Sequence, residues 1–355
     1  MWGYTVHNTL TGNRIAALKS TGRHKRSPGA GDGEHSFNLA DADVPITRTA
    51  IRALQQPNES MLVVSWSGVP VYAGVIMNSD YLRDTATLTI QHVDVRKLMQ
   101  ERLTFGVSGY AYGDLTISGK SLTGMVRGIL QRGIYDWGTT WRLPVDLPAD
   151  GAGSNSLRVK NWEWARIEDL LQRVEKLGAT IDFDPYYDPA GGLRFAVRVG
   201  TPNLPGASLE WVATAEATPV INLRVQKNGS RQLSGCFYMG KGTEADMRVG
   251  EASFIDGPTI PVRDAARSAK DESDVAKLNS MALTDLQANR RAAEQWSFAL
   301  VADETWPVEL LKPGARITLH CYGDPVIDDG AHSFIVTGIS VDSTTSVITP
   351  EVQPV

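Results

Sequence analysis

The chain has 355 residues, 42% hydrophobic and 21% charged, with 33 glycines and 18 prolines spread along its length. That length exceeds one ordinary core, so two or three domains built from short strands and many turns are expected, and a net charge of −5 argues against a surface made to neutralise nucleic-acid phosphates. Cys236 and Cys321 lie far apart without C-x-x-C spacing, which suggests neither a disulfide framework nor a zinc site, but two small buried residues. The start, MWGYTVHNTLTGNR, has no apolar export segment, and no apolar run nears the roughly 20 residues of a membrane span. A protein made and folded in a cytosol is expected.

The first hundred residues read as β-rich. Residues 22–34, rich in glycine and mixed charge, are expected to form a flexible surface loop. MLVVSWSGVPVYAGVIMNSD (residues 61–80) reads as two apolar strands joined by a tight turn at Ser67-Gly68-Val69-Pro70. In TATLTIQHV, Leu88 and Ile90 alternate with Thr87, Thr89 and Gln91, the period-2 signature of a strand with one wet face. A short helical turn follows over residues 94–103.

The period then changes. SLTGMVRGILQRG sets Leu122, Met125, Val126, Ile129 and Leu130 on one helical face and is expected to stop at Gly133. Residues 161–178 place Ile167, Leu170, Leu171, Val174 and Leu177 at 3- and 4-residue spacing, with Asn161 as N-cap and Gly178 as the glycine beyond the end. ATIDFDPYYDPAGGLRFAVRVG reads as strand, turn and strand, with Leu193, Phe195, Val197 and Val199 on one face and Arg194 and Arg198 on the other. From about residue 207 the β period returns. Ile221, Leu223 and Val225 alternate with polar residues, and Asn228-Gly229 offers a hairpin turn. A last helix over residues 273–293 carries Val275, Leu278, Ala282 and Leu286 on a stripe, ahead of the strands WSFALVA, ARITLHC and SFIVTGISV. The fold class is α+β, mostly β.

Two hairpins echo each other: residues 71–90 and 334–349 each hold a glycine before an aliphatic (Gly74-Val75, Gly338-Ile339), then an Asx-Ser pair and a Thr/Ser-rich return strand. The turns ahead of them, Gly68-Val69-Pro70-Val71 and Gly323-Asp324-Pro325-Val326, are alike too. Either hairpins resemble one another by composition, or two related barrels flank the helical stretch.

Signals for chemistry are weak. Gly119-Lys120-Ser121 lacks the glycine a phosphate loop needs five residues earlier, where Asp114 stands and Gly113 misses by one. His320 and Cys321 alternate to opposite faces of a strand, so with His332 they make a poor metal set. Asp182, Asp184, Asp188 and Asp324, Asp328, Asp329 could serve glycoside hydrolysis only if paired across a cleft; beside Pro and Gly they read as turn formers. Trp137, Trp141, Trp162 and Trp164 gather around the helical stretch, where core packing is expected ahead of a sugar-stacking face. No catalytic residue, metal ligand or cofactor site is assigned.

The order of these pieces resembles a family. A strand through Trp66-Ser67-Gly68, then PVYAGVI, an alternating strand and a helical turn ending at Arg102 are similar to the front of actinophage minor tail proteins. Those in turn are similar to the tail-tip hub of siphophages and the baseplate hub of contractile tails. The likeness continues in the helix ahead of residues 182–195, in the late helix, and in LLKPGARITLHCYGDPVIDDGAHSFIVTGISVD (residues 310–342). It implies two β-barrel domains, residues 1–110 and 206–355 (the latter with helix 273–293), flanking an α/β insert, residues 111–205. Gly68, Pro70, Gly74, Gly323, Pro325 and Gly338 would then be barrel turn positions, and residues 61–80 barrel wall with a strand edge offered to a neighbouring subunit.

The resemblance further implies a non-enzymatic virion protein of the tail tip, assembled in the host cytoplasm. A homotrimer with six barrels would meet a distal tail protein ring above and a central fibre, spike or other minor tail proteins below. The tape-measure protein would plug it, and DNA would pass only transiently. The chain stops soon after the last strands, without the peptidase, muralytic or receptor-binding extension of longer relatives. The rival readings are a distal tail ring protein and a carbohydrate-binding or cell-wall-degrading tail protein.

Overall fold

The computed structural model describes residues 1–41, 46–105, 113–136, 138–140, 142–253 and 260–355. It divides into two compact units, Met1–Leu223 with Ser297–Val355, and Arg224–Trp296. The first begins with strands β1 (Trp2–Asn8), β2 (Arg14–Leu18), β3 (Thr21–Ser27) and β4 (Ala30–Asn38) and helix α1 (Arg48–Leu54). Then come β5 (Ser60–Trp66), β6 (Val69–Leu82), β7 (Thr87–Asp94) and α2 (Lys97–Glu101). The tight turn between β5 and β6 is two residues long, Ser67 and Gly68, both at positive φ (47° and 87°), the backbone that matches the twist of paired strands. All seven residues of β5 are buried. Met61 and Val63, with Ala73 and Val75 of β6, belong to the core shared with the insert, so this strand is covered on both faces, and its middle is the apolar run Met61-Leu62-Val63-Val64.

Residues 22–34 are not a loop but the hairpin β3–β4, paired from Thr21↔Ser36 to Ser27↔Ala30. Alternation of charged residues concealed the strand: Arg23 and Lys25 point outward, while His24 and Arg26, each 2% exposed, point inward.

The insert consists of β8 (Leu115–Lys120), α3 (Leu122–Leu130), β9 (Val145–Asp146), β10 (Asn155–Val159), α4 (Ile167–Glu175), β11 (Thr180–Tyr187) and β12 (Leu193–Gly200). Ser121 caps α3 by accepting from the Gly124 amide at 3.1 Å, so Gly119-Lys120-Ser121 is the end of β8 and the cap of the helix that follows. The helix does not stop at Gly133; a π-helical turn, Gln131–Tyr135, carries it on. Gly133 serves close packing instead, since a Cβ there would lie 2.4 Å from Ile167 Cδ1. Helix α4 begins at Ile167 rather than Asn161, which lies in a separate 3-10 turn, Asn161–Glu163. Gly178 takes the expected left-handed backbone, φ 99°. Leu177 is exposed, outside the buried stripe of Ile167, Leu170, Leu171 and Val174. Trp162 and Trp164 are 60% and 54% exposed, contrary to the expected core packing, because they sit on the turn before α4 rather than on its inner face. Trp137 and Trp141 lie outside the described residues.

After the insert come β13 (Ser208–Val212) and β14 (Val220–Asn228). The second unit holds β15 (Gly235–Met239), β16 (Val249–Ser253), β17 (Asp264–Ser268) and α5 (Val275–Asn289). It is a three-stranded sheet, β16-β15-β17, with Ala282 and Leu286 packed on Cys236. The helix is shorter than residues 273–293, and Val275 is exposed while Leu278, Ala282 and Leu286 are buried. Asn228-Gly229 makes no hairpin: β14 pairs with β18 (Ala293–Val301), and β15 with β16 and β17. A partner distant in sequence overrode the local turn signal. The chain closes with β19 (Arg316–Cys321), β20 (Gly330–Asp342) and β21 (Val347–Pro354).

Thirteen strands make one continuous sheet, β14-β18-β21-β20-β3-β4-β7-β6-β5-β1-β2, with β19 beside β20 and β13 beside β19. Its strand order repeats: β3-β4-β7-β6-β5-β1 is matched by β14-β18-β21-β20-β19-β13. Pairings in the two hairpins correspond throughout. Leu82↔Thr87, Asn78↔Gln91, Ile76↔His92 and Gly74↔Asp94 match Asp342↔Val347, Gly338↔Glu351, Val336↔Val352 and Phe334↔Pro354. Each long strand has a bulge at the equivalent place, between Ile76 and Asn78 and between Val336 and Gly338. Each turn ends on a left-handed residue, Ala86 and Ser346. The echo is therefore structural, but in a register that sets Gly338 opposite Asn78, not Gly74. One difference stands: β1 runs antiparallel to β5, β13 parallel to β19.

Candidate assembly surface

The two repeats meet where the second half of β20 pairs with β3, from Ile339↔Arg26 to Asp342↔Arg23. Ser343 closes the seam, its Oγ donating to the Gly22 carbonyl at 2.9 Å and accepting the Gly22 amide at 3.1 Å. Ion pairs Arg23–Asp342 (2.9 Å) and Lys25–Glu351 (2.7 Å) cross it. Both are solvent-accessible, so they set register more than they stabilise. An open groove of about 880 Å³ runs over this region, lined among others by Arg23, Lys25, Glu34, Gln91, Asp342 and Thr349.

Beneath the seam lies a buried polar layer. His35 Nδ1 and His92 Nε2 are 2.8 Å apart, and His92 Nδ1 is 2.9 Å from the Tyr72 hydroxyl. The His24 ring stacks on Tyr72 at 4.6 Å. Burial pushes the three imidazoles down, His35 to about 4 and His92 to about 3, and His24 well below its ordinary value, so all are neutral at pH 7. Gly74 makes room for the layer: a Cβ there would lie 2.5 Å from the Tyr72 hydroxyl and 2.7 Å from His92 Nδ1.

Two buried arginines tie the sheet to the insert. Arg26 Nη2 donates to Asp182 (2.7 Å) and Asp184 (2.8 Å), and its Nη1 to the Val71 carbonyl (3.0 Å). Arg198 also holds Asp182, at 3.1 Å, and Lys312 holds Asp184. Burial would raise the Asp184 carboxyl, but Arg26 and Lys312 outweigh it and keep its pKa low. Arg96, 2% exposed, grips Glu168 through Nε and Nη2 (2.8 and 3.0 Å) and Glu175 through Nη1 and Nη2 (both 2.8 Å). Burial pulls its pKa down, yet the hydrogen bonds to Glu175 and Glu168 leave it raised.

These contacts decide the fate of the carboxylates weighed for hydrolysis. Asp182 and Asp184 are neutralised by cations in the interior. Asp188 accepts the amides of Ala190 and Gly192, and Asp324 those of Val326 and Ile327, as turn formers do. Cys236 and Cys321 are buried free thiols, and among the described residues no group of three His, Cys, Asp or Glu is arranged to hold a metal.

Of the turn positions singled out in the sequence, Gly68 lies in the β5–β6 turn, and Gly323 and Pro325 in the β19–β20 connection. Pro70 is the second residue of β6, Gly74 stands mid-strand, and Gly338 is at the β20 bulge. The sequence pattern singles out neither the polar layer of His24, His35 and His92 beneath the seam nor the arginines Arg26 and Arg96 that tie the sheet to the insert; for His24 and Arg26 the alternation within TGRHKRS is the signal that could have found them.

No protein-family model and no curated protein sequence matches the chain. Solved structures do. A 43 kDa tail protein of prophage MuSo2 from Shewanella oneidensis is 12% identical with TM-score 0.56, covering 99% of this chain and 97% of that one. A tail protein from Neisseria meningitidis MC58 is 14% identical with TM-score 0.54 and the same coverage. A chain of the lidded Francisella PdpA–VgrG complex is 11% identical with TM-score 0.51, covering all of this chain and 53% of that one. From end to end, the described chain has the fold of phage tail proteins.

Proposed function

We propose that this chain is a structural, non-enzymatic protein of a phage tail tip: a hub that forms a trimeric, pseudo-six-fold ring, joins the distal tail ring to a central fibre or spike, and encloses the path of DNA ejection. The observation that carries this reading is the repetition of one strand order and register within a single chain. Two like modules per subunit allow three subunits to present six like surfaces. In this reading residues 1–110 and 206–355 supply the two barrel walls, closed only in the ring, residues 111–205 project toward the fibre, and the tape-measure protein fills the lumen before ejection. The full-length likeness to two prophage tail proteins supports the tail location, and the likeness to a chain of the PdpA–VgrG complex supports a place near a spike.

Image reconstruction of tails containing this chain tests the proposal: three copies at the tail tip are expected. Six copies in a ring would favour the distal tail protein, a reading the helices α3 and α4 count against. The exposed Trp162 and Trp164 favour a glycan-binding role as the second reading. Clearing of host cell wall in a zymogram by the purified protein would overturn the non-enzymatic assignment.

A further inference from the structure

The seam inside the chain shows how one repeat receives the next. The second half of β20 has β21 on one side and β3 on the other. The corresponding half of β6, residues 79–82, has β7 on one side. Its pairing with β5 ends at Met61↔Val75, and among the described residues no strand lies on its other side. At the far end of the same sheet, β14 holds the place in the second repeat that β3 holds in the first, and among the described residues it pairs only with β18. Each edge lacks the partner that the other provides.

The side chains agree. Val341 of β20, covered at the seam, is 3% exposed; Tyr81, at the same register position in β6, is 46% exposed, and its neighbour Leu82 is 55% exposed. An unpaired strand edge presents bare amides and carbonyls, and natural proteins guard such edges with prolines, lysines or strong charge. Residues 79–82, Ser-Asp-Tyr-Leu, carry one aspartate and two large apolar groups, which is poor protection for an edge meant to stay in water.

We infer that the outer edge of β6, at residues 79–82, pairs with β14 of a second copy of this chain, so that the contact between subunits repeats the β20–β3 seam within each subunit. The contact is head-to-tail, because the two edges are different surfaces. Such contacts either close into rings or run on as filaments. Closure at three copies rests on the hub reading above; the identity of the edges does not.

Disulfide trapping tests this in the full chain, whose own two thiols are buried. Leu82→Cys is combined in turn with Leu223→Cys, Arg224→Cys and Val225→Cys, so that successive positions of β14 sample both faces. Mild oxidation of concentrated protein, and of tails carrying each variant, should give reducible dimers and trimers in at least one combination and no larger species. Yields should exceed those of the single-cysteine variants at least tenfold, and Tyr81→Lys should remove the cross-link without moving thermal unfolding. No cross-link in any combination, or equal yield from Leu82→Cys alone, would overturn the inference; a ladder continuing beyond three chains would keep the edge pairing and overturn closure at three, and with it the hub reading. Tails that hold three copies yet never cross-link would sink the edge assignment and leave the hub standing. Cross-linked trimers from a chain absent from tails would do the reverse.

Discussion

Replacing Arg96 by methionine should loosen the joint between sheet and insert. The guanidinium is 2% exposed and makes four hydrogen bonds of 2.8–3.0 Å to Glu168 and Glu175, with a longer one, 3.3 Å, to the Ile181 carbonyl. Methionine fills a similar volume but leaves two carboxylates together, one of them, Glu168, only 5% exposed at its side chain. Removing one member of a buried ion pair costs about 3–5 kcal/mol, chiefly because the partner stays buried and uncompensated. Glu175, 27% exposed, recovers some hydration, so the sum of two full penalties is not expected. At 1.36 kcal/mol per tenfold, amide protection in α4 and β11 should fall by about two to four orders of magnitude in native-state hydrogen exchange. Adding Glu168→Met should restore most of it, since a buried pair replaced by apolar groups is often neutral. Protection within tenfold of the parent in Arg96→Met alone would refute the claim that this pair is a buried anchor.

Acid should destabilise the first unit. His24, His35 and His92 are held neutral by burial, so the unfolded chain takes up protons below about pH 6.5 that the folded chain refuses, His35 until about 4, His92 until about 3 and His24 until well below its ordinary value. Stability is full above that range and declines as pH falls through it. Asp94, pushed up to about 7 by burial, binds a proton in the fold that the unfolded chain has lost, and so offsets one histidine. The net slope is about two protons, roughly 2.7 kcal/mol per pH unit. Thermal unfolding from pH 7 to 4 reads it, and His92→Val, the residue the second repeat carries as Val352, should shallow the slope by about one proton. Gly74→Ala should cost about 1–3 kcal/mol through overpacking against Tyr72 and His92. Gly68→Ala, with open space around it but φ 87°, should cost about 1–2 kcal/mol through backbone strain alone; equal effects from denaturant midpoints after relieving Tyr72 as Tyr72→Phe would contradict the steric account. Trp162→Ser should leave unfolding within about 0.5 kcal/mol of the parent, because the indole is mostly in water.

The readable parts of the sequence were those where one face is apolar. Leu193, Phe195 and Val197 are buried, Val199 on the same face is only partly buried against their core, and the alternating arginines are not buried, as period 2 requires. The stripe of α4 was equally plain, though the helix starts later than the cap signal of Asn161 suggests, because Asn161 lies inside a separate 3-10 turn whose N-cap is Lys160, and Arg166 caps α4. The hairpin β3–β4 was missed because its inward residues are His and Arg, polar groups whose burial depends on Asp182, Asp184 and Tyr72 far along the chain. Arg96 was hidden for the same reason: nothing near DVRKLMQERL announces Glu168 or Glu175. The family likeness was carried by the order of elements. The repeat was noticed by composition but aligned four residues out, because only the bulge and turn fix register.

The seam between Gly22 and Ser343 joins residues 321 positions apart. During synthesis, β3 leaves the ribosome long before β20 exists; at 5–20 residues per second the interval is roughly 15–65 s. Throughout that time the nascent polypeptide displays a naked strand border able to recruit the wrong neighbour. Translation speed and holdase supply, rather than final stability, should then govern how much usable protein a cell obtains.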